Sequence, residues 1–115
     1  MKKEAELKAK GIAEVIVYCC NDSAVMKAWG KNQGVEGSII TMMADTHGYL
    51  AKALGVRMTH PGPLGKLGPT RCQRHAIYVE DGIIKAFEVA ASNEDPAGDA
   101  KPDVSLVENM LSKVP

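Results

Sequence analysis

Three cysteines, three histidines and two closely spaced arginines are the side chains most able to do chemistry here, and their spacing decides which kind. Cys72 lies in Arg71-Cys72-Gln73-Arg74, a cation-rich segment with Arg74 two residues beyond the thiol. Positive surroundings favour the thiolate, the reactive form of cysteine, so Cys72 is the stronger nucleophile candidate; the alternative is an ordinary loop cysteine. Cys19 and Cys20 are adjacent at the end of an apolar run, and Cys20 precedes Asn21-Asp22-Ser23, three good helix caps. A thiol at a helix start makes Cys20 a second redox candidate, against the plainer reading of two small buried hydrophobes. A disulfide between Cys19 and Cys20 would strain the backbone and is not expected. His47, His60 and His75 are scattered without metal-ligand spacing, so no metal is expected. Gly62, Gly65 and Gly68 superficially suggest a phosphate loop, but Pro61, Pro63 and Pro69 remove N–H donors among them. A structural loop is expected there, and no cofactor. Met26, Met42, Met43 and Met58 read as packing residues, oxidisable where exposed.

Stepping from these residues to what must hold them, 115 residues suffice for one domain. Hydrophobic content of 45% and charged content of 24% are ordinary for a globular protein. Fourteen basic and fourteen acidic residues cancel, which gives no electrostatic case for nucleic acid or a membrane surface. No apolar run approaches the roughly 18 residues of a membrane span. The start, Met1 to Lys10, is charged and lacks the apolar centre of a secretory signal. Three cysteines, two adjacent, make no disulfide framework, so a reducing compartment, the cytoplasm, is expected. An organelle remains open if a targeting segment lies upstream.

Lys2 to Lys10 reads as a helix with i,i+4 pairs Glu4–Lys8 and Glu6–Lys10, closed by Gly11. Ile12 to Cys20 is a continuous apolar run, centred on Val15-Ile16-Val17-Tyr18, that suits a parallel strand covered on both faces. A helix from Ser23 to Asn32 follows, with Val25, Ala28 and Trp29 as its apolar face and Gly34 and Gly37 beyond its end. Trp29 is expected in the core or at a dimer contact. Ser38 to Met43 reads as a strand, Tyr49 to Leu54 as a short helix closed by Gly55, and His60 to Thr70 as a long loop. Arg74–Glu80 and Ile83–Val89 flank Asp81-Gly82, a strong hairpin signal. Ala91 to Asp103 reads as an acidic loop. Val104 to Val114 reads as a closing helix with Leu106, Val107, Met110, Leu111 and Val114 on its apolar side.

Three segments in order carry a family resemblance. Asn21-Asp22-Ser23-Ala24-Val25-Met26-Lys27-Ala28-Trp29-Gly30 resembles the N-D-x-F-V-x-x-x-W-G joint of the type II peroxiredoxins. Ala44-Asp45-Thr46-His47-Gly48-Tyr49-Leu50-Ala51-Lys52-Ala53-Leu54-Gly55 is similar to their A-D-P-x-G-x-F-x-K-x-L-G turn and helix, and Arg74 to Gly82 to their R-Y-A-x-x-x-x-D-G hairpin. The likeness runs from about Glu6 to Lys113. It implies an α/β, thioredoxin-like fold, as one partial redoxin domain over residues 1–115. It implies that Arg74 is the arginine that holds the peroxidatic thiolate and polarises the peroxide.

The family's P-x-x-x-T-x-x-C loop has no counterpart in these residues, and two resolving-cysteine positions fall near Val17 and Val104. The resemblance therefore implies the C-terminal part of a thiol peroxidase, without the N-terminal strands and the peroxidatic-cysteine helix, inactive by itself. A strand of the family lies between the strands matching Val15–Tyr18 and Arg74–Val79, so a sheet split into two two-stranded halves is expected. A start assigned downstream of the true one, or a selenocysteine codon read as stop, would produce such a chain. The complete enzyme would take a hydroperoxide and be reduced by glutathione, glutaredoxin or thioredoxin. A non-enzymatic remnant that pairs with a full-length relative through Trp29 and Thr59–Thr70, a homodimer, or a weak redox-sensing thiol at Cys72 or Cys20 are the other expectations.

Overall fold

The computed structural model describes residues 3–68, 70–91 and 102–115. These residues cluster into two compact units, Met1–Gly55 and Val56–Pro115, each taken by itself below.

The first unit opens with α1 (Glu4–Ala9), which ends at Lys10 with Gly11 at φ +86, and Ile12 donates its N–H back to the Leu7 carbonyl at 3.0 Å. Lys8 pairs with Glu4 at 3.6 Å, and the same Glu4 oxygen accepts the Ile39 N–H at 2.8 Å, which ties the helix to the start of the second strand. β1 (Val15–Cys19) runs parallel to β2 (Ile40–Ala44), with Val15 opposite Ile40 and Cys19 opposite Ala44. The crossover between them carries α2 (Ser23–Gln33), capped by Asp22, whose Oδ1 accepts the Val25 N–H at 2.8 Å. It stops at Gly34, where φ is +66. α3 (Tyr49–Ala53) follows β2. The buried hydrophobics here are Cys20, Met26 and Ala51.

The inward face of α2 differs from the expected stripe. Met26 and Gly30 are buried, whereas Val25, Ala28 and Trp29 are exposed, Trp29 by 40%. Helix α2 packs on β2, and the reason for its rotation is size. A Cβ on Gly30 would sit 2.9 Å from Met42 Cγ, so the bare glycine admits the strand's methionine where a large aromatic could not.

In the second unit, β3 (His75–Glu80) and β4 (Ile83–Val89) form the antiparallel hairpin expected around Asp81-Gly82. Both turn residues have positive φ, +51 and +77, the signature of a type I′ turn. A register irregularity falls between Tyr78 and Val79. The Lys113–Glu88 ion pair, 3.5 Å, and packing of α5 (Val107–Lys113) on β3 assign the helix to the face with Ala76, Tyr78, Ala86 and Glu88. Val56, Met58, Leu111 and Val114 are buried.

Two expectations are corrected in this unit. Within the expected loop His60–Thr70 lies α4 (Pro61–Leu67), with His60 as N-cap accepting the Gly62 N–H at Nδ1, 3.0 Å. Pro61 and Pro63 fall in the first turn, where the N–H groups they lack have no helical acceptor anyway. The closing helix is divided: Pro102–Ser105 is a 3₁₀ turn, Leu106 is extended, and α5 starts at Val107. Ser105 Oγ donates to the Pro102 carbonyl at 3.0 Å and Asn109 Nδ2 to the Val104 carbonyl at 2.6 Å, so side chains take acceptors a continuous helix would have used. Most of the expected loop Ala91–Asp103 lies outside the described residues. The strands form two separate two-stranded sheets, as expected.

Candidate functional site

Residues 56–58 and 71–73 run antiparallel as a short extended pair. Gln73 donates its N–H to the Val56 carbonyl at 2.7 Å, and Met58 its N–H to the Arg71 carbonyl at 2.8 Å, with Arg57 and Cys72 directly opposed between them. Alternation puts Val56 and Met58, 2% and 7% exposed, on the inner side and Arg57 on the solvent side. Opposed residues share a face, so Arg57 and Cys72 share this outer one. Arg74, two residues beyond Cys72, continues the same face by the period of two.

Arg74 is exposed, and its carbonyl accepts the Ala90 N–H at 2.9 Å, which fixes its backbone to the base of the hairpin. Cys72 is a half-buried thiol. Arg71 belongs to the opposite face, where Nη1 donates to the Thr70 carbonyl at 3.0 Å. His75 Nδ1 lies 2.7 Å from the Gln73 carbonyl, an acceptor, so that nitrogen carries the proton in this tautomer. Its ring stands 5.9 Å from Phe87. The arrangement presents two guanidiniums and a thiol to solvent, a surface for binding anions and for thiol chemistry.

Cys20 stands in different surroundings. It is 5% exposed, with Sγ 4.0 Å from Asp45 Oδ2. The Asp45 carboxylate also caps α3, accepting the Leu50 N–H at 3.1 Å and the Ala51 N–H at 2.9 Å, and its own N–H donates to the Cys19 carbonyl at 2.9 Å. Thr46 Oγ1 donates to the Asn21 carbonyl at 3.2 Å, so the ends of β1 and β2 are laced together around the Cys20 thiol. A carboxylate beside a buried thiol opposes its ionisation.

Of the residues singled out from sequence, Arg74 and Cys72 come together on one segment, and Cys20 and Trp29 belong to the other unit. Arg57 was missed. Its signal was Val56-Arg57-Met58, a short apolar–polar–apolar alternation directly after Gly55. Asp45 was missed as well, because a side-chain cap several residues ahead of a helix has no fixed sequence signature. Among the described residues, no three His, Cys, Asp or Glu side chains gather as a metal site, and no helix is long and apolar enough to cross a membrane.

Comparison with known proteins matches residues 1–111 to the Redoxin family. Peroxiredoxin-2E-2, chloroplastic, from Oryza sativa subsp. japonica is 33% identical over 90 residues, 77% of this chain and 39% of the relative. Peroxisomal membrane associated protein 20 from Schizosaccharomyces pombe is 35% identical over 112 residues, 96% of this chain and 66% of the relative. The crystal structure of reduced Prx3 from Vibrio vulnificus superposes with a TM-score of 0.81 at 33% identity, covering 98% of this chain and 64% of that one. The chain thus spans between about two fifths and two thirds of the length of these relatives. The fold is the thioredoxin-like fold of the peroxiredoxins.

Proposed function

The chain belongs to the redoxin family, and on that premise we propose that it is the C-terminal part of a thiol-dependent peroxidase that reduces hydroperoxides. The thiolate or selenolate that attacks the peroxide comes from sequence outside these 115 residues. In that step a sulfur–oxygen or selenium–oxygen bond forms, the O–O bond breaks, and the leaving alkoxide or hydroxide takes a proton. Arg74 serves as the fixed cation that holds the nucleophile ionised and donates to the developing negative charge on oxygen. The observation that carries this reading is the placement of Arg74: exposed side chain, backbone anchored to Ala90 at the base of the hairpin. Glutathione, glutaredoxin or thioredoxin returns the oxidised group to its starting state. The assembly is a homodimer or a dimer with a full-length relative, and the exposed Trp29 supports a contact through α2. The compartment is the cytoplasm or an organelle; the rice relative is named as chloroplastic and the yeast one as peroxisomal membrane associated.

The test compares the 115-residue chain with a version extended to the length of its relatives. The short chain shows no hydroperoxide turnover above free thiol with glutathione and glutaredoxin or with thioredoxin. The extended chain turns over, and Arg74→Ala in it lowers kcat/KM by about a hundredfold. Specific turnover by the short chain alone, or an extended Arg74→Ala variant of undiminished activity, overturns the reading.

A further inference from the structure

The outer face shared by Arg57, Cys72 and Arg74 differs from the surroundings of the other two thiols in the sign of its charge. Cys20 is buried with the Asp45 carboxylate at 4.0 Å, and Cys19 lies in β1 with its carbonyl bound by the Asp45 N–H. Cys72 is half-buried, is opposed across the antiparallel bridge by Arg57, and is followed on the same face by Arg74. A guanidinium presents a planar fork of donors that matches a carboxylate, and two of them flank one thiol.

We propose that Cys72 is a modification site that forms a mixed disulfide with a small carboxylate-bearing disulfide, whose carboxylates are bound by Arg57 and Arg74. The inference stands apart from peroxide reduction, since neither Cys72 nor Arg57 has a part in that step. The Cys72 proton passes to solvent, and the thiolate attacks one sulfur of the reagent. A bond forms between Cys72 Sγ and that sulfur, the reagent's S–S bond breaks, and the other half leaves as a thiolate that is reprotonated. Cys72 is oxidised and the departing sulfur is reduced, so no further oxidant is needed. The two arginines act twice: they favour the attacking thiolate and they concentrate a negatively charged reagent at the thiol.

The experiment exposes the whole chain, near neutral pH and at low salt, to oxidised glutathione, which is anionic, or to cystamine, which is cationic. Mixed disulfides are mapped by peptide mass spectrometry, with the same rates on the urea-unfolded chain as reference. Cys72 is expected to react ahead of Cys19 and Cys20. Its preference for oxidised glutathione over cystamine should exceed the unfolded reference by about fivefold, on the scale of exposed charge pairs. That preference should fall by about threefold in Arg57→Ala, persist in Arg57→Lys, and shrink as salt rises. The proposal is overturned if Cys72 reacts no faster than Cys19, if the native preference equals the unfolded one, or if Arg57→Ala leaves it unchanged. Arg57 contributes an exposed side chain to a backbone bridge, so its truncation leaves Val56 and Met58 in place.

Discussion

Gly30→Ala sets two physical effects against each other, and the structure decides the sign. Gly30 lies inside α2, where alanine is favoured over glycine by about 1 kcal/mol through backbone entropy. The added Cβ would stand 2.9 Å from Met42 Cγ and 3.2 Å from Val35 Cγ2. Separations of that kind force a neighbour to move, and overpacking a fitted site costs about 1–3 kcal/mol. Met42 belongs to β2, opposite Val17, and its side chain has to leave the position it holds against the helix. The net expectation is a loss of about 1 kcal/mol. In a Met42→Ala background the obstruction at Cγ disappears, Val35 has only a few tenths of an ångström to yield, and Gly30→Ala should then stabilise by about 0.5–1 kcal/mol. Urea unfolding of the four proteins in this double-mutant cycle measures the coupling. Fluorescence of Trp29, the single tryptophan of the chain, follows the transition from the adjoining residue. A stabilising Gly30→Ala in the presence of Met42 would refute the close approach of α2 to β2.

Asp45→Ala removes the acceptor of two α3 amides, one of them on the fully buried Ala51, and should destabilise the protein by about 2 kcal/mol. Hydrogen exchange of the Ala51 amide should accelerate with it; unchanged protection there would mean that α3 does not depend on the cap. Tyr78 ionises above the ordinary tyrosine range, through desolvation first and then the charge of Glu80, whose carboxylate accepts the phenol O–H at 3.3 Å, with a smaller push from Asp81. The folded phenol keeps its proton where the unfolded one loses it. The contribution is therefore complete below the ordinary tyrosine pKa of 10.0 and is lost as pH rises from there through the folded value. Ultraviolet titration of Glu80→Gln should show tyrosinate forming at lower pH than in the parent chain, and an unmoved curve would exclude the Glu80 contact as a cause.

Local signals explain what was legible in the sequence. Asp81-Gly82 dictated a hairpin because a type I′ turn needs two residues tolerant of positive φ, and the apolar run before Asn21 marked β1 because parallel strands are covered on both faces. Helix α4 was hidden by composition: glycine and proline in Pro61 to Gly65 argue for a loop unless the prolines fall in the first turn, as they do. The face of α2 was misread because periodicity ranks Trp29 above Gly30 by hydrophobicity, whereas packing on β2 selected the residue without a side chain. Arg74 was identifiable from its motif. Arg57 was not, because its position opposite Cys72 depends on pairing between segments separated by α4.

The two sheets also differ in how far apart in the chain their partners lie. Every β3–β4 contact closes across a two-residue turn, an event of microseconds. Every β1–β2 contact must wait until the segment carrying α2 has folded back, because a parallel pair has no local turn to nucleate it. The hairpin should therefore gain protection from exchange early in refolding, and the N-terminal pair late. During that interval Ile16 and Met43, which remain exposed even in the finished sheet, lie on unpaired strands, the state from which chains most readily find one another instead of themselves.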